Sequence, residues 1–295
     1  MRFKPDISRY KYPEKTDQHM IDVKHQVDTN FDENHRYYNN TFWYHLLRFF
    51  TNIIIHIFLY PFMYFRYGVK VEGRKNVREA KKVKGSVMTI CNHIFMMDYL
   101  VVTQAIRPKM EYFMAWPVNF EGPNRFFIRI MGGVPIPKKL KAIKTFEKAI
   151  DDIVKDGRWL HVYPEGSMWF YYNKIRPLKK GCFKTAFKHN IPILPMAMSY
   201  RPRKGLFALY NKKEPLITIK VGELMYINQE LEKNEAIFDI QKRAYHEMQM
   251  LAGITPDDED YQTLEKKEAS KWCFFFDYSI TYATLRHVLF ITVKL

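Results

Sequence analysis

Residues 86–98 read SVMTICNHIFMMD, and no other stretch constrains the chain as much. The apolar run 87–91 predicts a buried strand. Asn92 and His93 follow it, and Asp98 stands at the head of a helix expected over 98–106. A strand that passes through a histidine into a helix is the start of an α/β unit, and in open α/β sheets the strand ends face the ligand crevice. A carboxylate in the first turn of that helix can fold back onto the imidazole. The pair then offers a general base: neutral imidazole takes a proton from a hydroxyl or thiol, and the carboxylate fixes the tautomer and stabilises the cation. In a chain with ten histidines a lone His-x4-Asp is weak evidence. A histidine that merely caps a strand or helix fits the same letters.

The pattern downstream gives the fold class. Over 141–156, Ile143, Phe146, Ala149, Ile150, Ile153 and Val154 recur at three and four, and Gly157 follows as a stop. Next comes WLHVY, 159–163, a second buried strand. Strand, helix, strand in this order predicts an α/β fold, a mixed sheet flanked by helices. Further strands are expected over 69–72, 111–116, 191–198 and 217–221, and further helices over 124–131, 182–189 and 236–251. The helix over 124–131 carries Phe126, Phe127 and Ile130 on one side. The basic segment 74–84 reads as a turn. Pro192 and Pro195 cannot donate to a ladder, so their strand is expected at a sheet edge or to begin after Pro195.

Two loops add candidate site residues. The strand 159–163 runs into Pro164, Glu165, Gly166 and Ser167, where the carboxylate either binds substrate hydroxyls or orients the loop. Gly132 and Gly133 permit close backbone approach, and Lys138 offers a cation beyond them. A plain turn with a solvated lysine fits that heptapeptide equally well. The run 174–188 is basic, through Lys174, Arg176, Lys179, Lys180, Lys184 and Lys188.

Composition shifts sharply at 41–67. Residues 49–65 are nearly all aromatic or aliphatic, interrupted by Thr51, Asn52, His56 and Pro61, and no glycine precedes Gly68. That length is at the short limit for spanning a bilayer, which takes about 20 residues. Flanking aromatics with Arg48, Arg66 and Lys70 suggest interfacial anchors. The expectation is a helix lying in one leaflet, monotopic rather than spanning, kinked or ended at Pro61. The alternative is a buried helix packed on the domain. The organisation expected is thus a polar arm over 1–40, poorly packed or lying on the surface, a membrane-associating helix over 41–67, a catalytic-type domain over 68–253, and a tail over 254–295. The tail reads as strands, an interfacial helix or a cover for the sheet edge. The polar N-terminus shows no signal peptide pattern.

A net charge of +16 points to a polyanionic partner. No zinc-finger spacing, RRM signature or helix-turn-helix is present, which argues against nucleic acid. Cys91, Cys182 and Cys273 stand in no metal or redox spacing, so no disulfide framework and no metal site are expected. In its apolar strand Cys91 is expected to be an inert thiol.

Four stretches, in order, resemble the glycerolipid acyltransferases of the lysophosphatidic acid acyltransferase family. Asn92, His93 and Asp98 match its Asn-His-x4-Asp, and residues 132–138 loosely match its second, glycine-led element. Pro164, Glu165, Gly166 and Ser167 match its Pro-Glu-Gly-Thr, and 191–195 match its proline-flanked strand. Lys180-Gly181 also looks like the family. The sequence departs at Phe95, where the family often has a small polar residue, at Lys138, where it has arginine, and at Met168, where an arginine follows Glu-Gly-Thr. Lys174, Arg176 and Lys179 are the candidates to replace that arginine.

The resemblance implies transfer of a fatty acyl group from acyl-CoA or acyl-ACP to the hydroxyl of a lysophospholipid. The acceptor implied is 1-acyl-sn-glycerol 3-phosphate; glycerol 3-phosphate or another lysolipid is the alternative. It makes His93 the base and Asp98 its orienting carboxylate, with Asn92, Lys138, Glu165, Gly166 and Ser167 around the acceptor. No resident cofactor is implied, and the setting is an anionic membrane surface on the cytoplasmic face. A competing reading is a non-catalytic basic binder of membrane or nucleic acid.

Overall fold

The computed structural model describes residues 2–15, 18, 20, 31–120, 125–209 and 214–256. Expectations for the tail beyond Pro256, for Cys273 and for the start of the helix at 124 lie outside these residues.

Seven strands form one sheet in the order β1-β7-β6-β2-β5-β3-β4. They are β1 (Lys70–Glu72), β2 (Met88–Ile90), β3 (Glu111–Ala115), β4 (Gly133–Pro135), β5 (Trp159–Val162), β6 (Ile193–Arg201) and β7 (Leu216–Val221). β6, β2, β5, β3 and β4 run parallel, and β7 is antiparallel to β6, so the sheet is mixed. The helices are α1 (Phe42–Ile54), α2 (Tyr60–Tyr67), α3 (Arg74–Lys82), α4 (Asp98–Ile106), α5 (Arg125–Ile130), α6 (Leu140–Lys155), α7 (Gly181–His189) and α8 (Lys233–Leu251). The segment expected to be a basic turn is α3, because Val77 and Ala80 give it a small buried face. In α5 the expected single face is split: Ile130 is buried while Phe126 and Phe127 are exposed.

Strand alternation divides the core. Val87, Cys91, Leu194, Met196, Met198, Ile217 and Ile219 face Met63 of α2, Val77 and Ala80 of α3 and Val101, Val102 and Ala105 of α4. Met88, Ile90, Leu160, Ile193 and Ala197 are equally buried and point the other way. On that side α8 packs on β6 and α6 on β5.

Pro192, just before β6, and Pro195 within it do not put the strand at an edge. It lies between β2 and β7, and Pro195 is in register with Ile90. It changes partner at that point, pairing with β2 over 193–195 and with β7 from Met196 onward. The missing amide of Pro195 therefore falls where one ladder gives way to the other, and its carbonyl accepts from Gly222 N–H at 2.8 Å.

Pro61 does not end the apolar helix. A π-helical turn at Ile55–Leu59 joins α1 to α2, so Phe42–Tyr67 is continuous. The proline ring would clash with the carbonyl four residues back, and the wider π turn opens that space. One face of this helix docks on the domain through Ile55, Tyr60 and Met63, all buried. Arg48 is not an interfacial anchor: it is buried. It donates from Nε to Ile130 O (3.0 Å) and from Nη2 to Glu111 O (2.7 Å), and its guanidinium lies 4.2 Å from the Tyr112 ring centre. Gly132 makes room for it, because a Cβ there would stand 2.6 Å from Arg48 Nη2 and 2.5 Å from Glu111 O, at φ +102°. The close approach expected at Gly132 is thus made by the protein itself.

The arm is better packed than expected. Tyr12 donates to Phe170 O (2.7 Å) and its ring stacks on Trp169, while Tyr38 and Asn40 both donate to Asp156 Oδ2 at 2.7 Å.

Candidate active site

The C-terminal ends of parallel neighbours β2 and β5 bring two loops together, one with His93 and one with Glu165. His93 Nδ1 lies 2.5 Å from Asp98 Oδ2. That oxygen also accepts Ile94 N–H at 3.0 Å, and Oδ1 accepts the Tyr163 hydroxyl at 2.9 Å. Asp98 is 1% exposed and acceptor-rich, so it is held as a fixed partner for the imidazole. The His93 side chain is 26% exposed, which leaves its second nitrogen for a substrate. Tyr163 stacks flat on His93, ring centres 4.1 Å apart and planes 11° apart. Burial, and then the Asp98 carboxylate, push the Tyr163 phenol well above its ordinary range, so it remains a donor to Asp98.

Glu165 is buried and faces inward. Its Oε2 lies 2.8 Å from Arg176 Nη2 and accepts His93 N–H at 3.2 Å, while Oε1 accepts Arg176 N–H at 2.9 Å. Arg176 also donates from Nη1 to Ser167 Oγ (2.5 Å) and from Nη2 to Ser167 O, and it lies over the Trp169 ring. Of the two readings of Glu165, the geometry favours the one in which it orients the loop. The loop continues to the histidine, since Trp169 N–H donates to His93 O and Tyr171 N–H to Ile94 O.

The Acyltransferase family model matches residues 68–199, which span both loops. Over that stretch, somewhat less than half of the chain, the sequence is similar to the acyltransferases. It is 28% identical over 147 residues to the 1-acyl-sn-glycerol-3-phosphate acyltransferase of Saccharomyces cerevisiae, covering 47% of each chain. It is 26% identical over 158 residues to an uncharacterized acyltransferase of Schizosaccharomyces pombe, covering 51% of this chain and 54% of that one. The chain spans about half the length of the curated relatives it matches. A solved 1-acyl-sn-glycerophosphate acyltransferase from Thermotoga maritima has 19% identity and a TM-score of 0.41, covering 68% of this chain and 93% of that one.

The remaining candidate site residues divide by availability. Asn92 is buried, accepts Met198 N–H at 2.7 Å and donates to Met198 O at 3.2 Å, so its amide extends the β2–β6 ladder past the strand end. It positions His93 and does not reach outward. Ser167 is buried against Arg176. Gly166 is exposed with φ +76°, and a Cβ there would meet Lys179 Nζ at 2.6 Å. Lys138 is exposed beyond the C-terminal end of β4, at the same end of the parallel strands as the His93 loop. β4 stands three strands from β2, about 14 Å at 4.8 Å per strand. Of the three replacements for the missing arginine, Arg176 is spent on Glu165, Lys174 is exposed, and Lys179 lies over Gly166. Cys91 is buried and its thiol is raised well above the ordinary range, chiefly by burial, which makes it inert as expected.

Sequence reasoning missed the layer beneath. His161 sits under Tyr163, its ring edge-on at 4.4 Å, with Nδ1 2.8 Å from Thr89 Oγ1. Thr89 in turn donates to Glu111 Oε2 at 2.7 Å. Burial, then the nearby His93, hold His161 down to about 3, and burial pushes Glu111 up to about 8. A signal existed: residues 161 and 163 alternate onto the same face as any histidine leaving β2, given that β2 and β5 pair. Phe95, the family departure, is buried with its ring 5.1 Å from Tyr67. It ties the His93 loop to the end of the apolar helix.

Proposed function

We propose that this chain transfers a fatty acyl group from an acyl thioester, acyl-CoA or acyl-ACP, to the hydroxyl of a lysophospholipid, with 1-acyl-sn-glycerol 3-phosphate as the acceptor and phosphatidic acid as the product. The observation that carries this is the His93–Asp98 pair, with Asp98 on Nδ1 and the ring partly open to solvent. The yeast relative's name supports the acceptor. His93 Nε2 takes the acceptor's hydroxyl proton as the oxygen attacks the thioester carbonyl carbon. The carbon–sulfur bond then breaks, and the departing thiolate takes the proton from the imidazolium. Asp98 balances the imidazolium in between. No acyl-enzyme is needed, consistent with the inert Cys91.

Lys179, on the loop that faces His93, is the cation we assign to the acceptor's phosphate, with Lys138 serving only an acceptor long enough to reach it. A lysine provides a point charge in place of the arginine fork. The exposed face of α1 and α2 holds the enzyme in one leaflet, at the cytoplasmic side, where the acceptor resides. The +16 charge favours anionic lipid.

The test is transfer of labelled acyl chain from acyl-CoA and acyl-ACP by detergent-solubilised protein, beside His93→Ala. Lysophosphatidic acid, glycerol 3-phosphate and a zwitterionic lysolipid are the acceptors. Product with lysophosphatidic acid that vanishes in the variant supports the proposal. Product only with the other acceptors keeps the chemistry and replaces the substrate. Equal background from both proteins refutes acyl transfer.

A further inference from the structure

The turn Gly205–Leu209, between β6 and β7, buries none of its residues. Leu206 and Leu209 are each 80% exposed. A single exposed leucine is ordinary, but two at one loop tip, beside a larger apolar surface, form a patch. The loop is fastened to the C-terminal end of α2. Phe207 meets the Tyr64 ring edge-on at 5.7 Å, and Arg203 donates from Nη2 to Arg66 O at 2.8 Å. Arg66 pairs with Glu214 at 2.7 Å, on the far side of the same loop. Phe62, Tyr64 and Phe65 of α2 are exposed, so the apolar face of the helix continues onto the loop. Lys204, next to the turn, is exposed, and the sequence carries Lys212 and Lys213 between the turn and β7.

We propose that Gly205–Leu209 is a second membrane-inserting element whose partner is an anionic lipid bilayer. Leu206 and Leu209 enter the boundary of the hydrocarbon beside α2, and Lys204 meets lipid phosphate. Two features favour lipid over a protein partner: continuity with a 26-residue apolar helix, and flanking charge of one sign, since Glu214 is already paired. The mechanical consequence is orientation. A single helix lying in a leaflet leaves the domain free to roll about the helix axis, whereas a second contact off that axis fixes the roll and the aspect of the partly exposed His93 toward the bilayer.

The inference rests on the membrane reading above, and the experiment separates the two. In a Cys273→Ser background the remaining cysteines, Cys91 and Cys182, are buried and do not compete for label. An environment-sensitive fluorophore is attached at Leu206→Cys in one sample and at Phe58→Cys in another. Each is mixed with phosphatidylcholine vesicles with and without phosphatidylglycerol. Blue-shifted, brightened emission from both sites, quenched by spin-labelled lipid, is the expected result. Leu206→Ser with Leu209→Ser should weaken vesicle partition about tenfold with an unchanged melting temperature. Lys204→Gln should weaken it several-fold only where phosphatidylglycerol is present. Response at 58 with none at 206, or unchanged partition of the double variant, overturns the loop proposal and leaves the membrane reading standing. Silence at both sites overturns both.

Discussion

The His93 site and the apolar helix answer the same question in opposite ways. Around His93 almost every polar group is spent inside the protein: Asp98 on His93, Ile94 and Tyr163, and Glu165 on Arg176 and His93. Along Phe42–Tyr67 the large side chains are left out, with Trp43 75% and Phe42 69% exposed, while Arg48, Ile55, Tyr60 and Met63 secure the other face. The contrast teaches that a charged residue near a site is not thereby a ligand, and an apolar helix is not thereby core. Availability is decided by who reaches each side chain first.

The comparison breaks most visibly at His93. His93→Ala should lower kcat by about a thousandfold, within the range for loss of a general base, and Asp98→Asn should follow within an order of magnitude. Steady-state rates with saturating acyl thioester measure both, and a tenfold loss or less would remove His93 from the reaction. Glu165→Ala is next. If the carboxylate is scaffold, removing it strands a buried guanidinium and destabilises the fold by about 4 kcal/mol. Chemical denaturation reads this, and a wild-type midpoint with a raised KM would return Glu165 to the substrate.

The helix supplies the third test. Phe49, Phe58, Phe62 and Phe65 are exposed, so their joint change to serine should cut vesicle partition more than a hundredfold, a loss of about 3 kcal/mol. The melting temperature should hold. Met63→Ser, on the buried face of the same helix, should do the reverse.

The fourth test uses pH. Folded Glu111 keeps its proton to about pH 8, whereas an unfolded glutamate releases it near 4.3. Across that window the folded state binds more protons, so stability falls as pH rises and levels off above about 8. His161, held near 3 when folded, adds stability that is lost only as pH falls below about 6.5. Between pH 6.5 and 8 Glu111 therefore dominates this pair, and wild type should lose about 2 kcal/mol, about 5 °C in Tm. Glu111→Gln should flatten the slope. Last and smallest, Tyr163→Phe removes one hydrogen bond to Asp98 and should lower kcat about fivefold, near 1 kcal/mol. An unchanged rate would confine Tyr163 to stacking.

The sequence by itself determined what is local. The helix 98–106 was legible to the residue, since Asp98 heads its apolar run, and α4 is Asp98–Ile106. The His93–Asp98 contact was legible because five residues of chain leave little freedom between a strand end and a first helical turn. The strand–helix–strand order came from periodicity. Tertiary structure alone decided the rest. Strand order made β2 and β5 neighbours, which brought Glu165 to a backbone 72 positions away in the chain. Burial then gave Glu165 to Arg176, Asn92 to Met198 and Arg48 to the carbonyls of 111 and 130. The ladder switch admitted Pro195 to an inner strand, and the π turn carried the helix past Pro61. Periodicity reports which face of an element is apolar. It does not report which element arrives there, because that depends on the sum of packing over the whole sheet.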